Sequence, residues 1–190
     1  MRFLPIPIVS VLWVLGTGPA CAADDGALKV TTQRGGPAVE SVAVFRTKDG
    51  KRDEVGPALT DFAKAKPLPG TGPFEVWVKP KGGLAVKVHD KLVVPAGTAH
   101  ELKLGDVLGV VEVFGDTFPR ADKIVLTDTR DPGPGEKGHV AVQSARDYRT
   151  EMAVPPGTYA VWVVPANGAC AQKVEDNVRV QAGRSVKVGD

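Results

Sequence analysis

The chain is poor in most of the residues that usually announce a chemistry. Its 190 residues include two cysteines, three histidines and two methionines. Cys21 falls inside a leader segment, so Cys170 is left alone and a disulfide framework is excluded; the fold must be held by its cores. A zinc or copper site needs three or four ligands converging on one point. His89, His100 and His139 are scattered, and Cys170 is followed by Ala171-Gln172-Lys173 rather than the His and Met of a copper site. No metal site and no cofactor are expected. No Asn-x-Ser/Thr acceptor occurs. Charge of one sign is also missing: 24 basic residues face 22 acidic ones, without long runs of either. That balance argues against nucleic acid or an acidic membrane surface as partner.

Long apolar runs are absent except at the very start. Arg2, an apolar stretch from Phe3 to Gly16 and the small residues Ala20-Cys21-Ala22 have the form of a signal peptide over 1–22. The stretch is short of the roughly 20 apolar residues that a membrane span needs, and no later segment is apolar enough, so no membrane span is expected. Gly18-Pro19-Ala20 fits a lipoprotein signal poorly, which disfavours a lipid anchor at Cys21. The expected mature chain starts at Ala23 and is exported to the periplasm or the exterior, with room for two compact domains.

What is present is an internal echo. Pro69-Gly70-Thr71-Gly72-Pro73-Phe74-Glu75-Val76-Trp77-Val78-Lys79-Pro80 is answered by Pro156-Gly157-Thr158-Tyr159-Ala160-Val161-Trp162-Val163-Val164-Pro165. Val93-Val94-Pro95-Ala96-Gly97 is answered by Arg179-Val180-Gln181-Ala182-Gly183, and Leu102-Lys103-Leu104-Gly105-Asp106 by Val186-Lys187-Val188-Gly189-Asp190. Trp77 and Trp162 are 85 residues apart. So long a period marks a duplicated domain rather than a solenoid unit. The opening strands repeat too, Leu28 and Val44 against Val110 and Leu126, with equal spacing.

Short β-branched runs with period-two alternation, and a turn every 8–12 residues, predict an all-β chain of antiparallel sandwiches. The expected division is 24–106 and 107–190, six or seven strands each, in an immunoglobulin-like or prealbumin-like arrangement. The boundary at Asp106-Val107 carries no flexible linker. Only Ala58–Lys66 has helical spacing, with Ala141–Arg149 a weaker counterpart. Gly157 is expected to take a positive φ in a tight turn, with Tyr159 packed over the corner.

Pro155-Pro156-Gly157-Thr158-Tyr159, the alternating strand after it and the closing Val178-x-Val180-x-Ala182-Gly183 hairpin resemble carboxypeptidase-regulatory-like domains. More loosely, they resemble collagen-adhesin B-type and other transthyretin-like sandwiches. The resemblance covers about a third of each half and implies accessory or surface modules without catalysis. The Lys–Asn cross-link of the B-type adhesins has no matched set here, since Lys29 and Asn177 belong to different halves.

No base, nucleophile or metal-ligand set converges in the sequence, so an enzyme is not expected. Cys170 stands where the first half has Ala85 and reads as a small buried residue. The three histidines, and the cluster of Asp128, Asp131 and Glu136 with Arg130 and Lys137, read as solvated loop groups. The tryptophans are the candidate binding residues. If Val76, Val78, Val161 and Val163 face the core, alternation puts Trp77 and Trp162 on the outer faces of equivalent strands. There they could stack on sugar rings or anchor a protein, unless the 48–68 and 131–150 connectors fold over them. Trp77 is expected to be the more open of the two. The expected function is a non-catalytic binding or structural module of the cell envelope, whose partner is a protein or polysaccharide. The alternative is a carbohydrate-binding accessory protein using exposed Trp77 and Trp162.

Overall fold

A computed structural model describes residues 25–33, 36–48, 51–115, 118 and 120–189. The expected signal peptide lies outside them. Among the described residues, fourteen strands and one short helix follow one another. The first half holds β1 (Gly26–Thr31), β2 (Val39–Lys48), β3 (Lys51–Glu54), β4 (Lys66–Leu68), β5 (Phe74–Pro80), β6 (Val86–Leu92) and β7 (Ala99–Lys103). After α1 (Leu104–Val107), the second half holds β8 (Gly109–Val113), β9 (Ala121–Asp128), β10 (Ala141–Ala145) and β11 (Glu151–Val154), then β12 (Gly157–Pro165), β13 (Gln172–Val180) and β14 (Ser185–Val188).

The sheets repeat strand for strand. In the first half they run β4-β1-β7 and β3-β2-β5-β6; in the second, β11-β8-β14 and β10-β9-β12-β13. The fold is therefore all-β, two sandwich-like domains, and among the described residues no sheet is shared between halves. Each domain adds one parallel pair, β1 with β7 and β8 with β14, to otherwise antiparallel ladders. Alternation explains the packing. On β5, Phe74, Val76 and Val78 are fully buried and meet Leu28, Val30 and Leu102 from the facing sheet. On β12, Tyr159, Val161 and Val163 are buried, and the first two meet Val111, Met152 and Val188.

Strand pairing refines the sequence alignment at both ends. Trp77 pairs with Ala43 and Trp162 with Val125, so the tryptophans are equivalent. Gly97 and Gly183 turn into β7 and β14 at φ 69° and 67°, the left-handed region that glycine enters without steric cost. Leu28, however, corresponds to Val111 and not Val110, because Leu28 pairs with Lys66 as Val111 pairs with Met152. At the close, Leu102 corresponds to Val188, since they pair with the equivalent Val30 and Val113. The repeated Gly-Asp thus falls in different structures: Gly105 lies within α1, whereas Gly189 follows β14.

Neither expected helix forms. In the 58–66 segment, Leu59 bridges to Val42, Phe62 and Ala63 form a turn and Lys66 begins β4, while Ala141–Ala145 is strand β10. Leu59 and Phe62 do pack on the first core, but from a loop. Gly157 also departs from expectation: its φ is not positive, and it begins β12. A side chain there would meet the Tyr159 ring, with contacts of 3.1–3.3 Å at an added Cβ. Tyr159 crosses the corner and donates its hydroxyl to the Pro155 carbonyl at 2.7 Å. Burial, with the Asp128 charge adding, pushes its pKa to about 12 and keeps it a neutral donor.

The joint between domains is short and polar at its centre. Gln143, on β10, is 1% exposed. Its Oε1 accepts from the backbone N–H of Leu84 at 2.6 Å and of Ser144 at 3.0 Å; its Nε2 donates to the carbonyls of Leu84 and Ala153, both at 3.2 Å. One side chain of the second domain so clasps the β5–β6 turn of the first. Gly83 makes this possible, because a Cβ there would lie 2.7 Å from the amide oxygen. Beside the clasp, Ala153 joins Leu104 and Leu108 in the first domain's core.

Removing the Gln143 amide deletes its hydrogen bonds to the Leu84 N–H and carbonyl, each of which contributes about 0.5–1.5 kcal/mol. Gln143→Ala should lower the thermal midpoint and split a single unfolding transition into two in calorimetry. An unchanged, single transition would show that the clasp does not couple the domains.

Candidate functional site

Both tryptophans lie on the outward side of their sheets, half-buried, each flooring a cleft. The clefts occupy about 390 Å³ and 410 Å³, so they match in size as well as position. Their construction repeats. Val76 pairs with His89 and Trp77 with Lys87, which leaves Val88 as an extra residue; Val161 pairs with Glu175 and Trp162 with Lys173, which leaves Val174. The same bulge therefore sits beside each tryptophan, a device that re-aims side chains near sites. It places a lysine next to each ring. Each lysine also reaches an aspartate three residues on, Lys87 to Asp90 at 2.6 Å and Lys173 to Asp176 at 3.4 Å.

The polar edge of each indole is satisfied differently. Trp77 donates to Glu75 Oε2 at 3.1 Å, and the same oxygen lies 3.3 Å from Arg52 Nε. The Arg52 guanidinium packs over the rings of Trp77, at 4.3 Å, and Phe45, at 3.8 Å. Strand β3, part of the connector expected to fold over this face, thus supplies the cover as a single cation. Trp162 donates to the buried Thr127 hydroxyl at 3.0 Å, and Lys173 Nζ lies 5.1 Å from its ring. Its cover is backbone. Gly133, at φ 102°, presses against the ring so closely that a Cβ would come within 2.4 Å of it. Neither ring is a bare platform: Trp77 lies under a movable side chain, Trp162 against a loop.

Asp131 holds that loop, and it is not the solvated residue expected from sequence. Its side chain is 6% exposed; Oδ1 accepts from Gly133 N–H at 2.8 Å and lies 2.7 Å from His139 Nδ1, while Oδ2 accepts from Val140 N–H at 2.6 Å. Burial opposes its ionisation, but the bonds from His139, Val140 and Gly133 outweigh that, and its pKa falls below 3.8. The Asp-Pro-Gly run with a histidine eight positions on was the available signal. Cys170, expected to be buried, is exposed on the rim of the Trp162 cleft, because the β12–β13 turn and not a strand carries it. His89 and His100 meet edge to face at 6.0 Å across the two sheets of the first domain. Among the described residues, no three His, Cys, Asp or Glu side chains gather as a metal site would require, and no helix is long and apolar enough to cross a membrane.

No family model matches the chain, and no curated protein matches it. Among solved structures it is similar to a leucine-rich repeat protein from Bacteroides thetaiotaomicron, at 15% identity over 87% of this chain and TM-score 0.28. It is also similar to the Bacillus anthracis TIE protein, at 14% identity over 86% and TM-score 0.30. The chain spans only 25% and 32% of those two proteins.

Two measurements probe these groups. Asp131 favours the folded loop above pH 3.8, and this contribution is lost as pH falls through its lowered value. Asp131→Ala at neutral pH should therefore mimic acid, increasing iodide quenching of Trp162 but not of Trp77 in single-tryptophan variants; equal quenching would mean the loop does not depend on Asp131. His89 has its pKa lowered from 6.5, by burial first and His100 second. The unfolded chain then takes up a proton that the folded one resists, so stability falls as pH drops below 6.5. His89→Leu should flatten the melting profile between pH 7 and 5, and an identical slope would assign the effect elsewhere.

Proposed function

We propose that the chain is a non-catalytic, exported binding module of the cell envelope that takes its ligand at the Trp77 and Trp162 clefts. The observation that carries the reading is the duplicated construction: a tryptophan, a bulge and a lysine–aspartate pair at the same register in two domains. Core packing accounts for the valines of these strands but asks for no aromatic ring on the outer face. The resemblance to carboxypeptidase-regulatory-like domains, which implies accessory modules, points the same way.

The ligand reading favoured within this class is a polysaccharide. Each cleft sets an aromatic face beside charged side chains, Arg52, Lys79 and Glu54 around Trp77 and Glu136 beside Trp162. That pairing of an apolar face with hydrogen-bonding groups suits a sugar ring. Binding at Trp77 requires the Arg52 guanidinium to give up its place on the indole to the sugar, keeping Glu75 as its partner.

Burying an indole against a ligand contributes roughly 1–3 kcal/mol. Trp77→Ala and Trp162→Ala should each weaken binding to envelope polysaccharide about tenfold, and the double variant should abolish it. Retention on a polysaccharide affinity gel reads this. Undiminished retention of the double variant would remove the clefts from the binding surface, and a chain that never binds polysaccharide would leave a protein as the partner.

A further inference from the structure

The two domains provide an internal comparison at one position. On β11, Met152 is 2% exposed and belongs to the second core; on β4 the equivalent residue is Lys66, 6% exposed. Alternation makes this an inward position, since Leu68, two residues on, is fully buried. The second domain fills this position with an unbranched apolar side chain. A buried ammonium in its place is expensive unless it is partnered. Lys66 donates to the Pro57 carbonyl, and among the described residues it makes no ion pair.

The same region also differs in length between the domains. The connector before β4 runs over 55–65, against 146–150 before β11. The longer loop borders an open-sided cavity of about 590 Å³, lined by Val55, Pro57, Leu59 and Pro69, with Lys66 on the wall. That volume lies within the roughly 300–1,000 Å³ of small-molecule sites. Two carboxylates also border it, and both are engaged: Asp25 accepts from Gly70 N–H at 3.2 Å, and Asp61 accepts from Ala63 N–H at 3.1 Å and pairs with Lys64 at 3.3 Å. An ammonium has three donors, so Lys66 retains two. Desolvation lowers its pKa, against the pull of Glu54, as for a cation lacking its full complement of partners.

We propose that this cavity binds a small amphipathic carboxylate, its head on the Lys66 ammonium and its apolar body along the 55–69 loop. The site is separate from the tryptophan clefts and does not depend on the reading given to them. Charge selects the ligand: an apolar wall with one buried, incompletely partnered cation favours a monoanion with a hydrocarbon tail over a neutral or cationic one.

Titration of the whole mature chain with octanoate, 1-octanol and octylamine, followed by calorimetry and amide chemical shifts, tests this. Octanoate should bind and shift amides of 55–69; octanol should bind at least tenfold more weakly, and octylamine not at all. Lys66→Met, the residue of the sister domain, should weaken octanoate at least tenfold while keeping or raising the melting midpoint. Absent octanoate binding, or equal affinity for octanol, overturns the proposal using the wild-type chain alone. Undiminished binding by a folded Lys66→Met overturns it as well, and leaves Lys66 as a tie that holds the loop through Pro57.

Discussion

A strand can give only one of its faces to a core, and every feature of interest here descends from that constraint. Because Val76, Val78, Val161 and Val163 are fully buried, the residues between them are turned outward. The rings of Trp77 and Trp162 lie outside for that reason. The bulge at Val88 and Val174 breaks the strict period of two beside each tryptophan, and it does so at the same register in both domains. Both valines still reach the core, so the extra residue costs the sandwich little while changing what stands next to each ring.

The all-β class and the duplication were legible because strands of this kind write their burial directly into residue alternation, and turns write theirs into glycine and proline. Trp77 with Trp162 and Gly97 with Gly183 were equally legible, being rare residues at fixed registers. The ends of the domains were not. The connector between the first two strands differs by one residue between copies, and the repeated Gly-Asp ending is a likeness of letters placed in different backbones. The 58–66 segment misled through Leu59 and Phe62, whose spacing reflects two contacts made by a loop.

Within the clefts, the sequence exposed the rings but not what covers them. Arg52 over Trp77 and Gly133 against Trp162 are long-range contacts with no local signature. Gln143 was invisible for the same reason: a glutamine in a strand reads as surface until the opposing turn is brought to it. Asp131 and His139 lay in a polar loop that composition marks as solvated. Their burial follows from the loop folding back on the sheet. Polar groups that organise a structure look, one at a time, like polar groups that merely dissolve it.

If the two clefts bind one polymer, as proposed, the Gln143 clasp sets how they act together. A tandem joined by a slack tether samples many spacings, and its second binding event is governed by the tether's reach. A tandem locked through a buried amide presents one spacing, so a repeating polymer in step with it gains the full local-concentration advantage and one out of step gains none. The joint would then serve as a ruler, converting two weak, similar contacts into selectivity for the period of a chain rather than for the identity of its units.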